Sequence, residues 1–137
     1  MPGNLIIMDN MDMEYPIIED LLHQYSSFHL LLSDGIVIDE DKINDGARIQ
    51  RILTVHQLVR ILVDQDEDPY IILIRHDVVN GWNNEDIENL YDVMRIKSYY
   101  RNCDIYFVVL GGTNIFNFMM LGGFYGKEHT EYETEPL

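Results

Sequence analysis

Cysteine is nearly missing from this chain, and Cys103 alone can form no intrachain disulfide and no thiolate metal cluster. A reducing, intracellular compartment is therefore expected. Basic residues are scarce as well, 9 Lys and Arg against 24 Asp and Glu, for a formal charge of −15. Nucleic-acid binding draws its affinity from clustered cations, so DNA and RNA are excluded as direct partners. There is no glycine-rich loop followed by Lys and Ser or Thr, and the double glycines at Gly111 and Gly122 lack the G-x-G-x-x-G spacing. Triphosphate and dinucleotide binding lose their strongest support, and these glycines read as turns. No H-E-x-x-H and no G-x-S-x-G occurs either, which leaves zinc-protease and serine-hydrolase chemistry without a signature. The first 13 residues have no cation ahead of their apolar run and reach Asp9 and Asp12 at once, unlike a secretory signal.

What is present is apolar mass. Of the 137 residues 47% are hydrophobic, enough to offset the entropy of ordering and to build one core. A single domain over residues 1–126 is expected, with an acidic, fraying tail at 127–137. Ile105 to Gly126 runs 22 residues without a charge, long enough to span a bilayer by count. Gly111, Gly112, Thr113, Asn114, Asn117, Gly122 and Gly123 interrupt it, so a buried strand, a turn and a second strand from Ile115 to Leu121 fit better, with no membrane contact.

Apolar spacing orders the remainder. Asn4 to Met8 reads as a strand and Ile17 to Tyr25 as a helix. Phe28–Leu32 and Ile36–Ile38 read as an antiparallel hairpin turned by Ser33, Asp34 and Gly35. Asp45 to Ala47 open a helix whose stripe is Ile49, Ile52, Leu53, His56, Val59, Leu62 and Val63, with His56 a hydrogen-bonded core histidine. Tyr70 to Val79 reads as a central strand. Asn83 caps a helix with Asp86 at its third position, Trp82 facing Ile87, and Ile87, Leu90, Tyr91 and Met94 buried. Ile105 to Leu110 is a second fully buried strand, and Cys103 before it is a small buried hydrophobe. Alternating strands and helices give an α/β domain: a mixed, mostly parallel sheet of five or six strands with three helices packed on it.

Site candidates are sparse. Asp64, Asp66 and Asp68 match the first three ligand positions of an EF-hand loop, but Pro69 and Arg75 stand where Gly and a bidentate Glu belong, so a solvated turn is expected and no metal. The run Asp39, Asp41 fails in the same way at Ile43 and Asn44. As carboxylates between two rigid elements, Asp64, Asp66, Glu67 and Asp68 suit capture of a basic protein. Tyr99 and Tyr100 adjoin on the last helix and cannot both face its core stripe, which offers one as an interface anchor. Ligands of open α/β sheets collect at the carboxyl ends of the strands, where His76, Asp77, Asn80, Thr113 and Asn114 would meet.

The stretch from Tyr70 to Asn114 resembles the second half of a RecA-like ATPase core. An apolar strand runs into an acid at Asp77, an amphipathic helix follows, and a second apolar strand leads into Thr113 and Asn114. With no Walker A loop before it, the resemblance implies a degenerate, non-hydrolysing relative, as are some recombinase accessory subunits. The expected function is a non-enzymatic acidic interaction module, an adaptor, accessory subunit or inhibitor in the cytoplasm that needs no cofactor and no catalytic residue. The alternative is a small nucleotide- or metal-binding, enzyme-like domain using the strand end around Asp77.

Overall fold

The computed structural model of the protein describes residues 3–10, 20, 22–66 and 68–111. Five strands form one sheet in the order β1-β5-β4-β2-β3: β1 Leu5–Asn10, β2 Phe28–Ser33, β3 Ala47–Ile52, β4 Tyr70–Arg75 and β5 Ile105–Leu110. Every described pairing is parallel. Three α-helices follow the later strands: α1 Val55–Asp64 after β3, then α2 His76–Asn80 and α3 Asn84–Tyr100 between β4 and β5. This is the α/β domain with a mostly parallel sheet that the alternation implies.

The three inner strands explain their own sequences. All six residues of β2 and of β5 are buried, as are the first five of β4. A strand covered on both faces has no polar side, which is why FHLLLS, YIILI and IYFVVL show no alternation. Leu31, Tyr70, Ile72, Ile74, Phe107 and Val109 face the three helices, and Phe28, Leu30, Leu32, Ile71, Leu73 and Val108 face a second layer with Leu22, Ile36 and Ile43. The segment after β2 thus lies on one face of the sheet, while α1 to α3, which follow β3 and β4, lie on the other.

The hairpin does not form. After the turn at Asp34 and Gly35, where Gly35 has φ +86°, residues 36–39 carry no strand structure. β2 instead pairs on both sides with strands parallel to it, β3 and β4. Ile36 turns inward to roof the second layer, the demand its hydrophobicity actually met.

The helix expected from Asp45 is also replaced. Residues 47–52 are β3, whose burial is confined to its two ends, and the helix starts only at Val55. The break is written in T-x-x-Q: Thr54 Oγ1 accepts the Gln57 N–H at 3.0 Å, and Gln57 Oε1 accepts the Leu53 N–H at 2.7 Å. From there Val55, Leu58, Ile61 and Leu62 are buried, and His56 points outward, its Nε2 3.2 Å from Asp86 Oδ1. His56 is therefore not a core histidine.

β4 stops at Arg75, and His76 to Asn80 form the short helix α2 rather than more strand. The next boundary stands as expected: Asn83 Oδ1 accepts the Asp86 N–H at 2.8 Å, and Ile87, Leu90, Tyr91 and Met94 are buried. Trp82 packs on the same core. α3 ends with Asn102 in the left-handed region at φ 57°, and the Cys103 N–H returns to Ser98 O at 3.3 Å. That is the six-to-one closure of a helix C-terminus. The expected strand Ile115–Leu121 and the acidic tail lie outside the described residues.

Candidate functional site at the amino ends of the central strands

Parallel register brings three chemistry-bearing side chains into one row. His29 on β2 is level with Arg48 on β3 and with Tyr70 on β4. None of these pairs is close in sequence, so no local motif announces them. The His29 side chain is only 5% exposed, and its ring stacks on Tyr70 with centroids 4.3 Å apart and planes 10° from parallel. Packing therefore fixes the imidazole, and Nε2 is the atom it presents to the α1–β4 loop.

That loop carries the acidic run. Asp66 Oδ1 lies 2.7 Å from His29 Nε2, and Arg48 Nη2 lies 3.0 Å from the same nitrogen. Arg48 also pairs with Asp68 Oδ2, which in turn accepts from Ser27 Oγ at 3.3 Å. The His29 hydrogen bond holds the Asp66 carboxyl below the ordinary carboxylate range, and the bond to Asp68 raises the already high Arg48 pKa.

The backbone of the loop is held from several directions. Tyr70 Oη donates to Asp66 O at 2.8 Å, Lys97 Nζ to Gln65 O at 3.0 Å, and Cys103 Sγ to Asp68 O at 3.4 Å. Buried Lys97 also lies over the Tyr70 ring, 5.2 Å from its centroid. The loop is thus not a free solvated turn. Its carboxylates are fixed by tertiary bonds yet remain 62% and 42% exposed at Asp66 and Asp68. Asp64, at the end of α1, is exposed beside them, and Glu67 lies outside the described residues.

Tyr99 and Tyr100 both reach the surface, in edge-to-face contact at 4.8 Å, because Lys97 and Ser98 take the buried positions of that turn. On the same helix an open groove of about 240 Å³ runs against α1, lined by Leu62, Val63, Val93, Ile96, Lys97 and Arg101.

At the carboxyl end of β4 the chain turns into α2 instead of continuing as strand. His76, Asp77 and Asn80 sit on α2, with Asp77 exposed and paired to Arg75 at 2.9 Å. Thr113 and Asn114 lie outside the described residues. The strand-to-acid step of the RecA-like resemblance is therefore not reproduced, since β4 ends in Arg75 and Asp77 belongs to a helix. What the structure does assemble there is Ser33, Gly35, Arg51 and Arg75. Ser33 Oγ accepts the Arg75 N–H at 3.0 Å, Arg51 Nη1 donates to Ser33 O at 3.0 Å, and the Arg75 side chain lies where a Cβ on Gly35 would stand.

No family model matches the chain, and no curated protein matches it. What bears on function is the chemistry gathered at these two ends of the sheet.

Proposed function

We propose that the protein is a non-enzymatic acidic interaction module, an adaptor, accessory subunit or inhibitor acting in the cytoplasm, which receives a basic protein on Asp64, Asp66, Asp68 and the neighbouring Glu67. One observation carries this: the Asp66 and Asp68 carboxylates are exposed to solvent while their loop is anchored to Tyr70 of β4, Lys97 of α3 and Cys103. Charges already fixed in place lose little conformational entropy on binding, so their attraction shows up in association. A net charge of −15 steers a cationic partner toward such a loop. Tyr99 and Tyr100 supply aromatic surface at the end of α3 for the same partner.

The test is affinity capture with the wild-type chain as bait, followed by association kinetics of the captured protein across salt concentrations. Asp64→Asn, Asp66→Asn and Asp68→Asn together should slow association and flatten its salt dependence, with dissociation little changed. An unchanged rate and slope would refute the assignment of the loop.

A second reading keeps a specific observation. β2 connects to β3 on one side and β4 to β5 on the other, so the connections leave to opposite faces between β2 and β4. Ligands of open parallel sheets bind outside the carboxyl ends at such a switch point, here beside Ser33, Gly35 and Arg75. A rise in melting temperature with nucleotides, lost in Arg75→Ala, would favour this small-molecule reading.

A further inference from the structure

His29 Nε2 faces two partners whose demands conflict. Arg48 offers only N–H groups and the Asp66 carboxylate offers only lone pairs, yet both lie within 3.0 Å of that one nitrogen. With its proton, Nε2 donates to Asp66 and opposes the guanidinium. Without it, Nε2 accepts from Arg48 and turns its lone pair on the carboxylate. A divalent cation resolves the conflict, because it uses the Nε2 lone pair and the carboxylate oxygens together as ligands. We propose that His29 Nε2, Asp66 Oδ1 and Asp68 Oδ2 form a binding site for a first-row divalent metal ion, zinc in preference to calcium, that fastens the α1–β4 loop to the sheet.

The geometry supports it in three ways. One ligand atom from each of the three residues falls within a 4.8 Å spread, whereas ligands about 2.0–2.2 Å from one zinc sit within roughly 3.5 Å of each other. The contraction required is small, and the two carboxylates make it by exchanging their bonds to Arg48 and Ser27 for the ion. The ring itself is locked by its stack on Tyr70, so the nitrogen ligand is already aimed. An imidazole with two carboxylates is a donor set for zinc and its neighbours, while calcium takes six to eight oxygens, more than this loop supplies. Three protein ligands leave a position for water. Arg48 Nη2 lies 3.0 Å from His29 Nε2 and 3.5 Å from Asp66 Oδ1 and pairs with Asp68 Oδ2, so the guanidinium holds the place of the ion and is displaced when the ion binds, a competitor for the same three ligands.

The purified, chelator-treated full chain is titrated with Zn²⁺ and separately with Ca²⁺ by calorimetry, with Co²⁺ as an optical probe. Zinc should bind one ion per chain and more tightly than calcium, and cobalt should develop visible ligand-field bands. The exposed double variant Asp66→Asn, Asp68→Asn, which leaves the buried histidine and the fold in place, should lose both signals. Arg48→Gln should bind zinc roughly tenfold more tightly, because the competing guanidinium is gone, a size comparable with outer-partner effects at metal sites. Nitrogen-15 NMR of the imidazole should show the His29 ring proton on Nδ1 when zinc is bound to Nε2. Asp39→Asn with Asp41→Asn, elsewhere on the acidic surface, should change nothing. Retained zinc binding in the Asp66/Asp68 variant, equal affinity for calcium, or equal loss in the Asp39/Asp41 variant would overturn the site. No partner is present in this titration, so its outcome stands apart from that of the capture experiment.

Discussion

Thr54 offers a substitution whose effect changes sign with the fold. In the structure it is the N-cap of α1, non-helical at φ −135° and ψ 159°, with Oγ1 accepting the Gln57 N–H at 3.0 Å. Thr54→Ala removes that acceptor and orphans an amide, at a cost of about 1 kcal/mol. For a chain of this length that is a fall in melting temperature of roughly 3–5 °C. If residues 45–63 were one continuous helix, the same exposed threonine would sit in its interior. Alanine is the better helix former there by up to about 0.7 kcal/mol, so the substitution would stabilise. Gln57→Ala removes the return bond to the Leu53 N–H, and its cost should be smaller, a few tenths of a kcal/mol, because that amide is exposed to water. The two losses should be non-additive, since both residues belong to one reciprocal cap. Urea denaturation followed by circular dichroism on both single variants and the double variant measures all three quantities. A stabilised Thr54→Ala, or one with no change in midpoint, would refute the strand-to-helix break at Leu53 and Thr54.

Asn83→Ala should destabilise by about 1 kcal/mol through loss of the α3 cap, while Asn84→Ala, one residue inside the helix, should cost little; equal effects in urea denaturation would displace the boundary. Val108→Asp should abolish folding, read as loss of near-ultraviolet dichroism, because the residue is wholly buried in β5 and a carboxylate there has no partner. His56→Ala should cost at most about 0.5 kcal/mol by the same denaturation assay, since its imidazole is exposed and its pairing with Asp86 is a surface one. A loss of several kcal/mol would instead restore His56 to the core.

The strands that were legible are the three buried on both faces, starting at Phe28, Tyr70 and Ile105, and the short apolar run of β1, along with α3, whose cap and stripe are local features. The errors lie where two periodicities fit one stretch. Ile49, Ile52, Leu53, Val59, Leu62 and Val63 satisfy helical spacing across a boundary that only Thr54 and Gln57 mark. Of these, Leu53, between β3 and α1, and Val63, on the outer side of α1, are largely exposed, and Ile49 on β3 is partly so. The stripe was thus assembled from residues with different duties. The antiparallel partner drawn for Phe28 to Leu32, itself strand β2, failed for another reason. A Ser-Asp-Gly turn between apolar runs fits a hairpin, but the second run closes the sheet's far face and pairs with nothing described. Among the described residues no helix is long and apolar enough to cross a membrane, and Ile105 to Leu110 begins the uncharged run as a buried strand.

The acidic run Asp64 to Asp68 was visible as charge, but its partners were not, because His29 and Arg48 reach it only through the parallel pairing of β2 with β3 and β4. A histidine inside an apolar run such as Phe28 to Leu32 still leaves a trace. Burying an imidazole is costly unless its nitrogens are bonded, so a polar group from elsewhere in the chain has to meet it. In this topology that group cannot come from the carboxyl ends, because His29 is the second residue of β2 and level with the first of β4. It has to come from the loop entering β4, which is also the most acidic turn in the central part of the chain. The histidine and the acidic run are therefore one feature: folding places the only buried imidazole among the described residues within hydrogen-bond reach of the Asp66 carboxylate. Whatever binds Asp66 and Asp68, protein or ion, must compete with Arg48 for them, and so the affinity of this surface is set on β3 as much as on the loop itself.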